Sequence, residues 1–363
     1  MKKAVLLAVA LVTVALVPEA RADERIFGDG MREPQVAVAP DGCVFLVAAK
    51  GDGVIEVTSS SDGKSFGAPV PVGKVERIML GMRRGPRIAA TARFLVVTAI
   101  ARHEGVDGEL LAWSSADRGA TWRGPVRVNG EAASSREGLD GLAAGPQDEV
   151  ACAWLDNRGK DGPEVWVAVS TDGGLAWRET RAYKSPEKCV CQCCHPSVAW
   201  TAKGELALMW RNSLEGSRDL WLARSRDHGK TFEKAEKLGR GTWPLDACPM
   251  DGGAVAAKPE GGFATIWRRA DSVFFAVPGE PEERLGAGCQ GWLAAGPGGF
   301  FAVWLERRGG TLQVLAPGQK EPRAIGEGAD DPAVAGALDG KGPVVATWLA
   351  GDLIEARVLA PRK

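Results

Sequence analysis

The densest chemistry in the sequence is one short run, Lys184-Ser-Pro-Glu-Lys-Cys189-Val-Cys191-Gln-Cys193-Cys194-His195. A second segment of soft donors follows, Cys248-Pro249-Met250-Asp251, and Cys289 lies further on. Three chemistries are open to these residues. The plainest is disulfide stapling, with Cys248 or Cys289 bridged to the run; the adjacent Cys193 and Cys194 cannot easily both serve one partner strand. The second is a soft-metal site, since thiolate, thioether and imidazole together favour Cu(I) or zinc. Zinc sites usually draw paired Cys-x-x-Cys spacings from two loops, so one dense run with a lone Cys248 fits copper better. The third is covalent haem, because Cys191-Gln-Cys-Cys194-His195 satisfies the C-x-x-C-H attachment pattern. The metal or disulfide candidates are therefore Cys189, Cys191, Cys193, Cys194, His195, Cys248 and Met250.

A different chemistry needs carboxylates. Two carboxyl groups can hydrolyse a glycoside by acid/base work. Asp156, Asp246, Asp251 and Glu306 are candidates, and Arg211, Arg268 and Arg307 follow apolar strands that end in tryptophan. Against this stands their reading as solvated loop charges.

The elements that position these residues are visible as repeats. Ser115-Ala-Asp117-Arg-Gly119-Ala-Thr121-Trp122 recurs as Ser170-Thr-Asp172-Gly-Gly174-Leu-Ala-Trp177 and as Ser225-Arg-Asp227-His-Gly229-Lys-Thr231-Phe232. A shorter copy is Ser60-Ser-Asp62-Gly63-Lys-Ser65-Phe66. The aspartates Asp62, Asp117, Asp172 and Asp227 stand at one constant interval, the mark of internal repetition. Each copy follows an alternating strand and reads as a hairpin turn: the carboxylate accepts turn N–H groups, and glycine takes the left-handed position. The role of these aspartates is structural.

This pattern resembles the BNR or Asp-box repeat of sialidases and other β-propellers. The resemblance implies a propeller, and for sialidases an arginine triad, a Tyr nucleophile assisted by a Glu, and an Asp acid/base. The chain has one tyrosine, Tyr183, expected on an outer strand and so badly placed for a nucleophile at the axis. Trp210-Arg-Asn, Arg218-Asp219, Gly241-Thr-Trp243 and Ala247-Cys-Pro-Met-Asp-Gly-Gly253 also resemble exported sialidase-like proteins of unassigned activity.

A second repeat runs through the rest. Apolar strands end in Trp154, Trp210, Trp267, Trp304 and Trp348, each after a short apolar strand, and two similar units lie at 34–49 and 86–101. The expectation is an all-β, seven-bladed β-propeller of four-stranded blades, with six blades as the alternative. The last unit has three strands, and Arg25-Ile26-Phe27 is expected to close it. Antiparallel order puts Asp boxes on one face and the links between blades on the other. Most cysteines, with Met79, Met82, Met250 and His195, then share the link face, and His103 lies in a loop there. Cys43 and Cys152, on apolar strands, read as buried free thiols.

Lys2-Lys3, an apolar stretch to Val17 and Ala20-Arg21-Ala22 read as a signal peptide over residues 1–22. Residues 23–363 then form a single propeller domain, exported to a periplasmic or secreted location where disulfides are allowed. No stretch is long enough for a membrane span. With 45 basic and 46 acidic residues, no nucleic-acid partner is expected. The leading expectation is a small-ligand or metal-ion site on the cysteine-rich face, and the alternative a sialidase-like glycoside hydrolase.

Overall fold

The computed structural model describes residues 25–103, 105, 107–159, 161–187 and 190–362. The expected signal peptide and Cys189 lie outside the described residues. The fold is all-β and arranged as a propeller. The first sheet runs β1 (Met31–Val38), β2 (Val44–Lys50), β3 (Val54–Ser60) and β4 (Val70–Lys74). An eight-stranded sheet follows, built from β5 (Arg87–Ala90), β6 (Leu95–Arg102), β7 (Asp107–Ser115), β8 (Arg123–Arg127), β9 (Ser135–Ala144), β10 (Val150–Asp156), β11 (Glu164–Ser170) and β12 (Arg178–Tyr183). It is two four-stranded units joined where β9 touches β7 through Asp107–Arg136 and Gly108–Ser135. Two separate sheets come next: β13 (Ser197–Trp200), β14 (Leu206–Arg211), β15 (Leu220–Ser225) and β16 (Glu236–Lys237), then β17 (Ala254–Ala257), β18 (Phe263–Arg269), β19 (Ser272–Ala276) and β20 (Glu283–Ala287). The last sheet holds β21 (Cys289–Gly296), β22 (Gly299–Leu305), β23 (Gly310–Leu315), β24 (Arg323–Ala335), β25 (Val344–Ala350) and β26 (Leu353–Ala360). The long β24 serves twice, pairing β23 with one half and β25 with the other.

The burial pattern explains the sequence pattern. Second strands such as β6, β10 and β14 are covered by neighbours on both faces, so they read as unbroken apolar runs. Third strands such as β3 and β23 alternate buried and half-buried positions, as a sheet with one wetter face requires. The tryptophans Trp154, Trp210, Trp304 and Trp348 are fully buried between sheets. β1, β5, β9, β13, β17, β21 and β24 line an axial cavity of about 200 Å³.

Residues Arg25–Phe27 form no strand. Asp29-Gly30 turns the chain before β1, and Phe27 drops into the core with Val345 and Ile354. The first and last sheets meet through this apolar packing, and among the described residues the final three strands gain no fourth.

Each Asp box is a hydrogen-bonded turn. Asp227 Oδ1 accepts the N–H of Thr231 at 2.9 Å, and Ser225 Oγ accepts that of Gly229 at 2.8 Å. Asp117 does the same for Thr121 at 2.9 Å, Asp172 for Ala176 at 2.9 Å and Asp62 for Ser65 at 2.9 Å. The Trp122 and Trp177 indoles donate back to the turn glycine carbonyls. Donated hydrogen bonds hold Asp62 and Asp117 down to about 2 and Asp227 lower still, chiefly from the backbone N–H groups of Ser65 and Lys64, the Thr121 hydroxyl and the Thr231 hydroxyl respectively. Stability from these turns is present above the ordinary carboxylate range and is lost as pH falls toward 2. Denaturation midpoints measured from pH 5 to pH 2 should fall, and the Asp117→Asn variant should show a shallower fall. An equally steep fall would locate the acid sensitivity elsewhere.

Candidate functional site

β14 separates the two faces. At one end Leu206 pairs with the Asp-box Ser225; at the other, Arg211 O accepts the N–H of Cys191 at 2.8 Å. The cysteine run is thus anchored at the end opposite the Asp box. Val190 bridges to Asn212 and is buried beneath β14, and Ser197 begins β13. Only five residues separate Cys191 from that strand, so the chain folds back sharply there.

That turn brings three thiols together. Cys191 Sγ lies 3.7 Å from Cys193 Sγ and 3.6 Å from Cys194 Sγ. All three sulfurs lie within 4.8 Å of one another, and the residues are 1%, 4% and 1% exposed. Met250 packs against them, and the Asp251 N–H donates to Cys194 Sγ at 3.4 Å. Hydrogen bonds from Cys193 and then Cys194 pull the Cys191 thiol down to about 3, with the Arg211 charge acting the same way. Burial first, then the neighbouring sulfur of Cys191, pushes Cys194 up to about 12. Cys193 is raised because its proton is held in the bond to Cys191.

Other candidates lie elsewhere. Cys248 is exposed, Cys289 is buried, and the seven described cysteines, Cys43 and Cys152 included, are all free thiols. His195 is buried, with Nε2 2.9 Å from Gly253 O and its ring stacked on Trp292 at 5.7 Å. A carbonyl only accepts, so Nε2 carries the proton. Burial, with the charges of Arg83 and Arg87, keeps this imidazole neutral by holding its pKa well below the usual value.

Arg211 is fully buried and spent on backbone carbonyls: Asp251 O at 3.2 and 2.9 Å, Arg268 O at 3.0 Å, and Arg218 O. Arg268 donates to Ala270 O at 2.7 Å, and exposed Arg307 lies in the turn before β23. Glu306 accepts from Gln313 at 2.7 Å on the surface, Asp246 is exposed, and Asp156 binds Arg158. Arg211 and Arg268 meet over one ring, their guanidiniums 5.3 and 5.5 Å from the Trp243 centre, with the Asp251 backbone beside them. Tyr183 packs on Trp210 at 4.6 Å, its hydroxyl 3.1 Å from Asn212 Nδ2.

The candidate carboxylate Asp251 sits in a largely buried polar network beside the axis, whose other members, Glu33, Arg83, Arg87, Gln290 and Asp331, sequence reasoning passed over. Arg83 lies 3.6 Å from Asp251 and 4.4 Å from the Trp292 ring centre, and Gln290 N donates to Asp251 Oδ2 at 2.6 Å. The available signal was polar residues just before inner strands, in Glu33-Pro34, Gln290-Gly291 and Asp331-Pro332. Glu33, Gln290 and Asp331 have φ of 55°, 53° and 48°, and each marks a register slip, near the start of β1 and β21 and at the junction of the two halves of β24. Such bulges re-aim side chains at the cost of local strain.

Burial, and then the Asp331 carboxylate, raises Glu33 from 4.5 to about 8, so it is protonated at neutral pH. The folded chain holds a proton that the unfolded chain releases. The resulting stability is full below about 4.5 and is lost as pH rises through about 8. Glu33→Gln should flatten the stability decline between pH 5 and pH 8 in urea titrations. An unchanged slope would assign the decline to another group.

Residues 94–247 match the family described as BNR repeat-like domain. No curated protein matches the chain. Among solved structures it is similar to the BP39L lectin of Burkholderia pseudomallei, at 14% identity and a TM-score of 0.66 over 92% of this chain and 98% of the lectin. It is also similar to the leech intramolecular trans-sialidase, at 11% identity and a TM-score of 0.56 over 94% and 70% of the two chains. The α-L-arabinofuranosidase Arb93A of Fusarium graminearum gives 12% identity and a TM-score of 0.56 over 91% and 93%. At these identities the likeness is one of fold, and with the repeat match the chain is a β-propeller that carries a BNR repeat-like domain over residues 94–247.

Proposed function

We propose that this protein is an exported, seven-bladed propeller, one domain over residues 23–363, that binds Cu(I) through Cys191, Cys193 and Cys194. The observation carrying the reading is the approach of three buried sulfurs to within 4.8 Å of one another. Metal–thiolate bonds near 2.3 Å put tetrahedral ligand atoms about 3.8 Å apart, close to the 3.6 and 3.7 Å separations here. Among the described residues the Met250 thioether packs on the trio, and a structural zinc site would call for a fourth Cys or His there instead. Three thiolates and a thioether suit a soft monovalent ion. Arg211 offsets part of the resulting negative charge. In an oxidising compartment three touching thiols would tend to oxidise, and a bound metal protects them.

The seven blades are supported by the seven inner strands around the axial cavity, and export by the leader over residues 1–22. Covalent haem fits poorly, since His195 directs Nε2 to Gly253 O rather than toward an iron. A glycosidase draws support from fold likeness alone, and Arg211 spends four of its five N–H donors on backbone carbonyls.

Anaerobic titration of the reduced protein with Cu(I), in competition with bicinchoninate, should load one ion per chain with sulfur-to-metal charge-transfer absorption. Failure to hold copper against the competitor, or preferential retention of zinc, would overturn the assignment.

A further inference from the structure

A second concavity lies apart from the thiols, between the segment after β4 and the loop after β6. Its volume is about 630 Å³. It is lined by Arg77, Arg84, Arg102 and His103 and by the apolar run 78–80. Among the described residues no carboxylate lines it. The two segments are pinned together by backbone: Ile78 bridges to Ala101, and Arg102 N donates to Arg77 O at 3.2 Å.

The arginines divide into two kinds. Arg84 is neutralised, with Nη2 2.9 Å from Glu137 Oε2 and Nε on the Glu137 carbonyl. Arg77 and Arg102 make no ion pair among the described residues. Each is steadied by one main-chain carbonyl, Arg77 on His103 O at 3.1 Å and Arg102 on Gly105 O. A guanidinium has five N–H donors, so both keep most of theirs. Two like charges fixed at one concave wall repel each other, and an anion bridging them turns that repulsion into charge-assisted hydrogen bonds.

We propose that this pocket binds a small organic oxyanion, whose carboxylate, sulfate or phosphate group sits between Arg77 and Arg102 and whose apolar body lies on residues 78–80. The site is independent of the copper reading. Arg77 and Arg102 are exposed, so their removal leaves the core intact.

Calorimetric titration with benzoate, phenyl sulfate, phenyl phosphate, inorganic phosphate and benzyl alcohol tests both halves of the site and separates the oxyanion classes. At least one phenyl-bearing anion should bind more tightly than inorganic phosphate, and benzyl alcohol should not bind. Arg77→Gln with Arg102→Gln should weaken the best ligand by about tenfold or more, the loss expected for hydrogen bonds to a charged group, while copper loading stays unchanged. Affinity that survives the double variant, or equal binding of benzyl alcohol, would remove the site. Glu104 lies outside the described residues. Binding seen only in a Glu104→Gln variant would assign the two guanidiniums to that carboxylate, and would overturn the proposal too.

Discussion

Replacing Cys191 by serine is expected to strip copper from the purified protein and to leave the propeller folded. Cys191 is the hub of the trio: both measured sulfur contacts, 3.6 and 3.7 Å, run from it. It also has the lowered thiol pKa, so it supplies the first thiolate. Serine offers a hard, poorly acidic oxygen at that position, and Cu(I) is left with two thiolates and a thioether. Removing an outer-shell partner of a metal costs roughly 10–100-fold in affinity, and removing a ligand should cost more. Bicinchoninate should then take all the copper from the variant. Cys193→Ser and Cys194→Ser should also weaken binding, whereas Cys248→Ser, at an exposed position, should not. The circular dichroism and melting profile of the copper-free forms should match, because these thiols sit in a link between sheets. Full copper occupancy in Cys191→Ser would end the three-sulfur assignment. A copper-independent drop in melting temperature for all three variants would make the cluster a packing feature instead.

Asp251→Ala is expected to cause the largest loss of stability of any single substitution considered. Asp251 is 1% exposed and Arg83 3% exposed, and their charges stand 3.6 Å apart. The other carboxylate oxygen accepts the buried Gln290 N–H at 2.6 Å. Alanine leaves a guanidinium and an N–H in the interior without these partners, and breaking a buried pair from one side costs about 3–5 kcal/mol. Asp251→Asn retains an acceptor for Gln290 and should lose less. Adding Arg83→Leu to Asp251→Ala should recover part of the loss, since no charge is then stranded. Denaturant unfolding of the four proteins measures each value. A loss below about 1 kcal/mol for Asp251→Ala, the scale of an ordinary substitution, would show that Asp331 and the Trp292 face satisfy Arg83 without it. The Asp251 backbone, which holds Cys194 and Arg211, remains in place in all of them, so copper binding should outlast the destabilisation.

Local signals were the legible ones. The Asp-box turns depend on four or five consecutive residues, Ser225 to Gly229 for example, and their hydrogen bonds close within that span. The tryptophans at the ends of β10, β14, β22 and β25 announced which strands are covered on both faces. The meeting of Cys191, Cys193 and Cys194 is local as well, because residues two and three apart on a reversing chain can touch.

What the sequence by itself determined is the repeat, the strand pattern and the concentration of soft donors in one short run, all properties read within one repeat or one loop. Only the tertiary structure decided how groups from different repeats pair. It turned Arg211 onto carbonyls from two later segments, set His195 against Gly253 and Trp292, left Cys248 in solvent, and gathered Glu33, Arg83, Asp251, Gln290 and Asp331 beside one axis. It also put Phe27 into the core instead of a closing strand. The physical reason is that a buried polar group must find a partner wherever the packed blades bring one within reach. In a closed ring that partner stands one or more blades away, at sequence separations no local pattern records.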